Sequence, residues 1–163
     1  MLDRDPYLEA LMAEWPTTGS ASIVIDASPD EAYAFVTDLA KLPTLSPENQ
    51  RCELIEGSTA VEVGAQFRGW NKNGDYEWNA DCLVLVAEAG KEFSFKVPPE
   101  WEYATTWTYR FEAEGDGVRV TESFDSPMLG DPEIYPGKLE GRCENLREAC
   151  QTTLENLKTA LEA

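Results

Sequence analysis

The C-terminal stretch, residues 139–163, constrains the fold most strongly because its pattern is that of one long amphipathic helix. Its apolar residues recur at steps of three and four, which places them on one side of an α-helix. This stripe consists of Leu139, Cys143, Leu146, Cys150, Leu154, Leu157 and Leu161. A helix of roughly 23 residues is about 35 Å long, enough to span a small domain. The preceding strands are the only partner large enough to bury the stripe, so we predict a sheet wrapped around a terminal helix spanning 140–161.

The apolar period changes to two from residue 51 onward, which is typical of β-strands. Turn sequences such as Asn73-Gly74 separate the apolar runs. The predicted strands are 51–56, 65–71, 75–87, 91–97, 104–113 and 117–125, preceded by a first strand at 21–25. Short connections between sequential strands predict a seven-stranded antiparallel sheet and therefore an α+β fold.

Two short helical segments are predicted after the first strand. Ser28 suits the N-cap of a helix, Pro29 suits its first position, and Glu31 completes a capping box. A second helical or turn segment is expected at 41–49. The long loop 126–141 and the turn 98–103 are expected to form a mobile rim.

The N-terminal end predicts a further short helix outside the main domain. Leu8, Leu11, Met12 and Trp15 follow Asp5-Pro6 at helical spacing, and a Thr-Thr-Gly-Ser linker comes next. We therefore expect an amphipathic helix over 5–14 within an extension of residues 1–19. Residues 20–163 are then expected to form a single domain.

Charge excludes several classes of partner. The 163 residues include 31 acidic and 13 basic ones, giving a net charge of −18. Binding to nucleic acid requires clustered Lys and Arg, so we predict no nucleic-acid partner and no attraction to anionic membranes. No apolar run approaches 18 residues and the N-terminus lacks a signal peptide, so we predict a cytoplasmic protein without membrane insertion. We also expect a monomer or weak homodimer. The acidic surface fits a role in solubility or a salt-rich habitat.

The sequence contains no His, which excludes Ser–His and Cys–His nucleophile pairs and His-based zinc sites. Any catalysis must then use Asp, Glu, Tyr, Lys or water. The four Cys have no metal-ligand spacing, and Cys82, Cys143 and Cys150 fall on apolar segments, so we predict buried free thiols. No cofactor and no metal are expected.

The order of elements resembles the helix-grip superfamily, often called SRPBCC, which includes START-related lipid-transfer domains, polyketide cyclases and birch-pollen-type allergens. The local match is to its polyketide cyclase/dehydrase branch. It is carried by IVIDASPDEAYAFVTD (23–38), VGAQFRGWN (63–71), TWTYRFEAE (106–114) and GVRVTESF (117–124). The resemblance implies a cavity between the concave face of the sheet and the terminal helix.

Strand parity predicts which side chains face this cavity, because alternate residues share a face. In 75–87 the even positions, up to Val86, are apolar, whereas 65–71 is ambiguous, with Phe67 and Asn71 on one face and Arg68 and Trp70 on the other. Plain core filling is an equal alternative for each aromatic residue. The predicted ligand-binding residues are Trp70, Asn71, Tyr76, Trp78, Phe95, Trp107, Tyr109, Glu122 and Leu146.

Glu122 is a lone inward carboxylate on 117–125, which is costly unless it is paired or protonated. Desolvation is expected to raise its pKa unless Arg68 points inward. One interpretation is structural: a hydrogen bond to Tyr109 or Trp78, or an ion pair with Arg68. The other is a ligand-binding or catalytic role.

Three functions follow from this pattern. The first is the binding of a small hydrophobic or aromatic molecule, including a lipid, by a carrier or sequestering protein. The second is a cyclase/aromatase in which Glu122 and a Tyr transfer protons during cyclisation and dehydration of a polyketide-like substrate. The third is a non-catalytic protein-interaction or stress-related module. No clustered acid–base pair is evident in the sequence, which favours the first.

Overall fold

The computed structural model describes residues 17–130 and 139–163. Within them the chain forms seven strands, three α-helices and a 3-10 helix. The strands are β1 (Thr18–Ile25), β2 (Asn49–Ile55), β3 (Gln66–Asn73), β4 (Tyr76–Glu88), β5 (Glu92–Val97), β6 (Thr105–Glu114) and β7 (Gly117–Asp125). The helices are α1 (Pro29–Val36), α2 (Leu42–Leu45) and α3 (Leu139–Glu162), and the 3-10 helix is Pro127–Gly130.

The strands form one sheet in the order β1-β7-β6-β5-β4-β3-β2, and every neighbouring pair is antiparallel. Strands β2 to β7 form a meander, and β1 closes the sheet beside β7. This arrangement confirms the predicted seven-stranded helix-grip architecture. Its concave face holds the core and receives α3.

The start of α1 shows the Ser28 N-cap and the Pro29 of the predicted capping box. The Ser28 hydroxyl accepts a hydrogen bond from the Glu31 amide at 3.1 Å, and Pro29 occupies the first turn. This cap satisfies a backbone donor that the helix itself leaves free. The buried Ala32 and Val36 then direct α1 onto the core.

The N-terminal linker was predicted too long. Thr18, Gly19 and Ser20 belong to β1 and pair with Asp125, Phe124 and Ser123 of β7, because β7 extends far enough to offer them backbone partners. The predicted helix 5–14 lies outside the described residues. Residues 131–138 of the predicted 126–141 loop also lie outside them.

Helix α3 buries most of the predicted stripe. Cys143, Leu146, Cys150, Leu154 and Leu157 are buried, and Leu161 packs at the edge of the core. The Leu139 side chain lies outside the described part of the chain. None of the described helices is long and apolar enough to cross a membrane.

A register shift in β4 corrects one predicted facing. Pairing with β5 skips a residue between Val84 and Val86, so Ala87, and not Val86, lies opposite the buried Phe93. Directly paired residues share a face of the sheet, so Ala87 joins the core. Val86 pairs with Ser94 on the other face. A bulge of this kind reverses the alternation beyond it.

Candidate functional site

A cavity of about 430 Å³ lies between the concave sheet and the N-terminal half of α3. This volume falls within the range of small-molecule sites in proteins. Aromatic rings from four strands form much of its wall, and Leu146 lines it from α3. The aromatic residues on the wall are Phe67, Trp78, Phe95, Trp107 and Tyr109.

Cross-strand pairing holds the aromatic wall together. Phe95 on β5 lies opposite Trp107 on β6, and the Phe95 ring packs edge-on against Phe67 of β3 with centroids 5.1 Å apart. Edge-to-face packing of this kind is favourable and fixes the ring orientations. The wall is therefore preformed by strand register.

Strand β3 resolves the facing that the sequence left ambiguous. Phe67, Gly69 and Asn71 line the cavity. A Cβ on Gly69 would lie 3.1 Å from the Asn49 amide nitrogen, so the missing side chain leaves room for Asn49. Asn49 Nδ2 donates to Asn71 Oδ1 at 3.1 Å, which gives the wall a polar section.

Two predicted ligand-binding residues do not line the cavity. Trp70 alternates with the inward Gly69 and Asn71, and its ring lies under the Arg51 guanidinium at 4.3 Å. Tyr76 has the inward parity but sits at the start of β4, where it is 69% exposed and stacks on Trp78. The other seven predicted residues, Asn71, Trp78, Phe95, Trp107, Tyr109, Glu122 and Leu146, lie on the cavity wall.

Glu122 and Tyr109 form a buried pair on the wall. They are direct partners across β6 and β7, and the Tyr109 hydroxyl donates to Glu122 Oε1 at 2.8 Å. Glu122 is only 5% exposed, and its second oxygen, Oε2, has no hydrogen-bond partner among the described residues. Arg68 does not neutralise it, because its Nε lies 2.6 Å from Asp81 Oδ1.

Burial is the main influence on the pKa values of Glu122 and Tyr109. Desolvation raises the pKa of Glu122 to about 8, although the Tyr109 hydroxyl and the Cys150 thiol act in the opposite direction. The pKa of Tyr109 is raised well above its ordinary value, first by burial and then by the neighbouring Glu122. At neutral pH the carboxyl is therefore mostly protonated and the phenol is neutral.

The more exposed end of the cavity carries an ion pair that sequence reasoning missed. Arg142 of α3 makes two hydrogen bonds to Glu48, Nη1 to Oε2 at 2.9 Å and Nη2 to Oε1 at 3.1 Å. Both residues line the cavity and are about four-fifths buried. They lie 94 positions apart in the sequence, and no local pattern connects them.

Trp101 also lines this end and is 37% exposed. The only sequence signal for it was the aromatic content of the 98–103 turn. The ion pair and this indole mark the end of the cavity nearest to solvent.

Three thiols, Cys52, Cys82 and Cys150, also line the cavity. All are free, and burial raises their pKa values, to about 11 for Cys52. They are therefore weak nucleophiles at neutral pH. Across residues 17–130 and 139–163, no group of three or more Cys, Asp or Glu side chains is arranged to hold a metal ion.

Solved structures with the same architecture include di-domain ARO/CYC proteins from two biosynthetic pathways. The chain superposes on the di-domain ARO/CYC StfQ from the steffimycin biosynthetic pathway with a TM-score of 0.71 and 13% identity. The match covers 93% of this chain and 52% of StfQ, so the chain spans about half the length of that protein. These values show a shared fold.

Two other structures match over nearly their whole length. CV1439 from Chromobacterium violaceum gives a TM-score of 0.68 at 18% identity, covering 91% of this chain and 99% of CV1439. The Polyketide_cyc-like protein Cgl2372 from Corynebacterium glutamicum gives a TM-score of 0.60 at 27% identity, with 90% and 91% coverage. A search of curated proteins found no match.

The sequence itself matches a family profile over nearly its full length. The profile, described as "Polyketide cyclase / dehydrase and lipid transport", aligns with residues 16–162. This match confirms the resemblance carried by the 23–38, 63–71, 106–114 and 117–124 stretches. The chain therefore belongs to the polyketide cyclase/dehydrase and lipid transport family.

Proposed function

We propose that this protein binds a small hydrophobic or aromatic molecule in the cavity beneath α3, as a carrier or sequestering protein. The observation that carries the proposal is an aromatic-walled cavity of about 430 Å³ that contains a buried carboxyl oxygen without a partner. Apolar walls with a few placed polar groups are the usual composition of small-molecule sites. The proposed ligand contacts are Asn71, Trp78, Phe95, Trp107, Tyr109, Glu122 and Leu146.

The family description includes both polyketide cyclase/dehydrase and lipid transport, and both activities require an apolar container. The same proposal includes three further expectations. Residues 20–163 form a single domain, the protein is cytoplasmic, and it is a monomer or weak homodimer. They follow from the sequence patterns described above.

Titration with N-phenyl-1-naphthylamine, a neutral probe whose emission rises in apolar surroundings, tests the proposal. We expect saturable binding of one probe per chain. Ala149 lines the cavity from α3, so Ala149→Phe should fill the space and abolish binding, whereas Gln151→Phe on the exposed side should not. Circular dichroism checks that both variants fold. Absence of binding to the wild type, or equal binding by a folded Ala149→Phe variant, would overturn the proposal.

A second candidate function, cyclase or aromatase activity, is favoured by the Glu122–Tyr109 pair. An acid–base group works best when its pKa lies near the operating pH, and the pKa of Glu122 is about 8. In an intramolecular aldol condensation, ionised Glu122 would take a proton from the carbon between two carbonyls. That carbon would bond to a ketone carbon, whose oxygen would receive the proton, and loss of water would follow.

Mass spectrometry of a linear poly-β-ketone thioester incubated with the protein tests this candidate. Conversion should appear as the loss of one water and should depend on Glu122. Failure of the wild type to accelerate the reaction above the rate without protein would exclude it, and would leave the binding proposal intact.

A further inference from the structure

The Glu122–Tyr109 hydrogen bond assigns different roles to the two carboxyl oxygens. The Tyr109 hydroxyl has one hydrogen and donates it to Glu122 Oε1, which therefore acts as the acceptor. The oxygen Oε2 is buried and has no hydrogen-bond partner within the described residues, because the Cys150 thiol faces the carboxyl without reaching hydrogen-bond geometry. In the protonated carboxyl the hydrogen on Oε2 is thus the donor without an acceptor.

The surroundings of Glu122 favour this neutral form. Its direct neighbours on the adjoining strands are Ala21 of β1 and Tyr109 of β6, and Cys150 faces it from α3. These are an apolar side chain, a neutral phenol and a neutral thiol. The nearest cationic side chain on the cavity wall, Arg142, is held by Glu48.

A buried donor without an acceptor is costly, and a ligand that supplies the acceptor recovers that cost on binding. A ketone or ester oxygen can accept the Oε2 hydrogen. A phenol oxygen can also accept, but it is a weaker acceptor than a carbonyl oxygen because its lone pairs are delocalised into the ring. A ligand carboxylate would add a further acidic group to a cavity whose cationic side chain, Arg142, is already paired with Glu48, and it would lose its own hydration.

We infer that the ligand of this cavity carries an uncharged hydrogen-bond acceptor, such as a carbonyl oxygen, that receives the Glu122 Oε2 hydrogen. The site therefore selects neutral carbonyl-bearing aromatic or lipid-like molecules over hydrocarbons, phenols and carboxylates of the same size. This inference rests on the proposed binding function and specifies the chemistry of its ligand.

Displacement of bound N-phenyl-1-naphthylamine by a matched series tests the inference at pH 6.5. The series is 2-acetylnaphthalene, 2-isopropylnaphthalene, 2-naphthol and 2-naphthoate, which share a ring system and differ in one group. We expect 2-acetylnaphthalene to bind roughly tenfold or more tightly than the other three. The preference should decline above pH 8, where the Oε2 hydrogen is lost.

Two variants separate the hydrogen bond from general packing. Glu122→Leu removes the donor and should abolish the preference for the ketone while retaining binding of the hydrocarbon. Glu122→Gln keeps an amide donor and should retain part of the preference, and it serves as the second test if Glu122→Leu fails to fold.

The outcomes of this experiment distinguish the two proposals. Equal affinities for the ketone and the hydrocarbon in the wild type, tighter binding of the phenol or carboxylate, or a preference that survives in folded Glu122→Leu would overturn the inference alone. If neither N-phenyl-1-naphthylamine nor any naphthalene binds, the proposed function is overturned together with the inference.

Discussion

The two halves of α3 carry the same apolar stripe and meet different surroundings. Leu154 and Leu157 in the C-terminal half are fully buried in the core that also contains Ile25 and Val118. Leu146 and Cys150 in the N-terminal half line the cavity. The apolar pattern of a helix therefore shows which side is buried, whereas the elements opposite that side decide whether it packs tightly or borders a cavity.

Covering helices account for the difference. Helices α1 and α2 contribute Ala32, Val36 and Leu45 to the core, and Asn156 donates to the Leu45 carbonyl at 2.8 Å. Large aromatic side chains face the N-terminal half of α3 from the sheet, and they surround a cavity that they do not fill. The packed half should therefore provide stability and the cavity half should provide binding.

Leucine truncation should show the largest difference between the halves. Leu154→Ala should lower the free energy of unfolding by about 3 kcal/mol, because it opens a new void in a close-packed region. Leu146→Ala should cost less, about 1 kcal/mol, because its side chain already borders open space, but it should weaken probe binding. Urea denaturation measures both changes. Equal losses of stability in the two variants would contradict the division of α3 into a packed half and a cavity half.

The second-largest effect should be a dependence of stability on pH that arises from Glu122 in the cavity wall. Folding raises the pKa of Glu122 from 4.5 to about 8, so the folded state holds this proton more tightly than the unfolded state. The stabilisation of the folded state by this bound proton is complete below pH 4.5 and is lost as the pH rises through 8. Glu122→Gln should therefore gain about 2 kcal/mol relative to the wild type between pH 5 and pH 6.5, well before the folded-state pKa is reached. Parallel stability curves for the two proteins would show that the carboxyl is not held neutral.

The ion pair at the exposed end should have the smallest effect of the three. Arg142 and Glu48 are about four-fifths buried and joined by two hydrogen bonds, whereas Arg147 and Glu144 on α3 are more than half exposed. Double-mutant cycles, with glutamine in place of each charged residue, should give a coupling energy of about 1 kcal/mol for the first pair. The exposed pair should give close to zero. Comparable coupling energies would show that burial does not make the Arg142–Glu48 pair stronger than the Arg147–Glu144 pair.

Periodicity made the fold predictable. Step lengths of three and four located α3, alternation located the strands, and the Ser28 cap located α1. Alternation also placed Trp107 and Glu122 on the inner face, because their strands β6 and β7 pair without a shift.

Residues whose surroundings depend on distant elements were harder to place from the sequence. Strand 65–71 has an aromatic residue on each face, Phe67 on one and Trp70 on the other, so its pattern did not decide which face lines the cavity. Tyr76 has the right parity but lies where the sheet is uncovered, and the bulge that turns Val86 outward has no local sequence signal. The pairing of Arg142 with Glu48 arises only when α3 crosses the sheet.

Backbone amide shifts in a two-dimensional NMR titration with 2-acetylnaphthalene test the central claim most directly, since they report both halves of the molecule at once. We expect large shifts at cavity residues such as Phe95, Trp107 and Cys150, and small ones at Val118 and Leu157 in the packed core. Shifts confined to the outer face of the sheet, or absent at a saturating probe concentration, would contradict it.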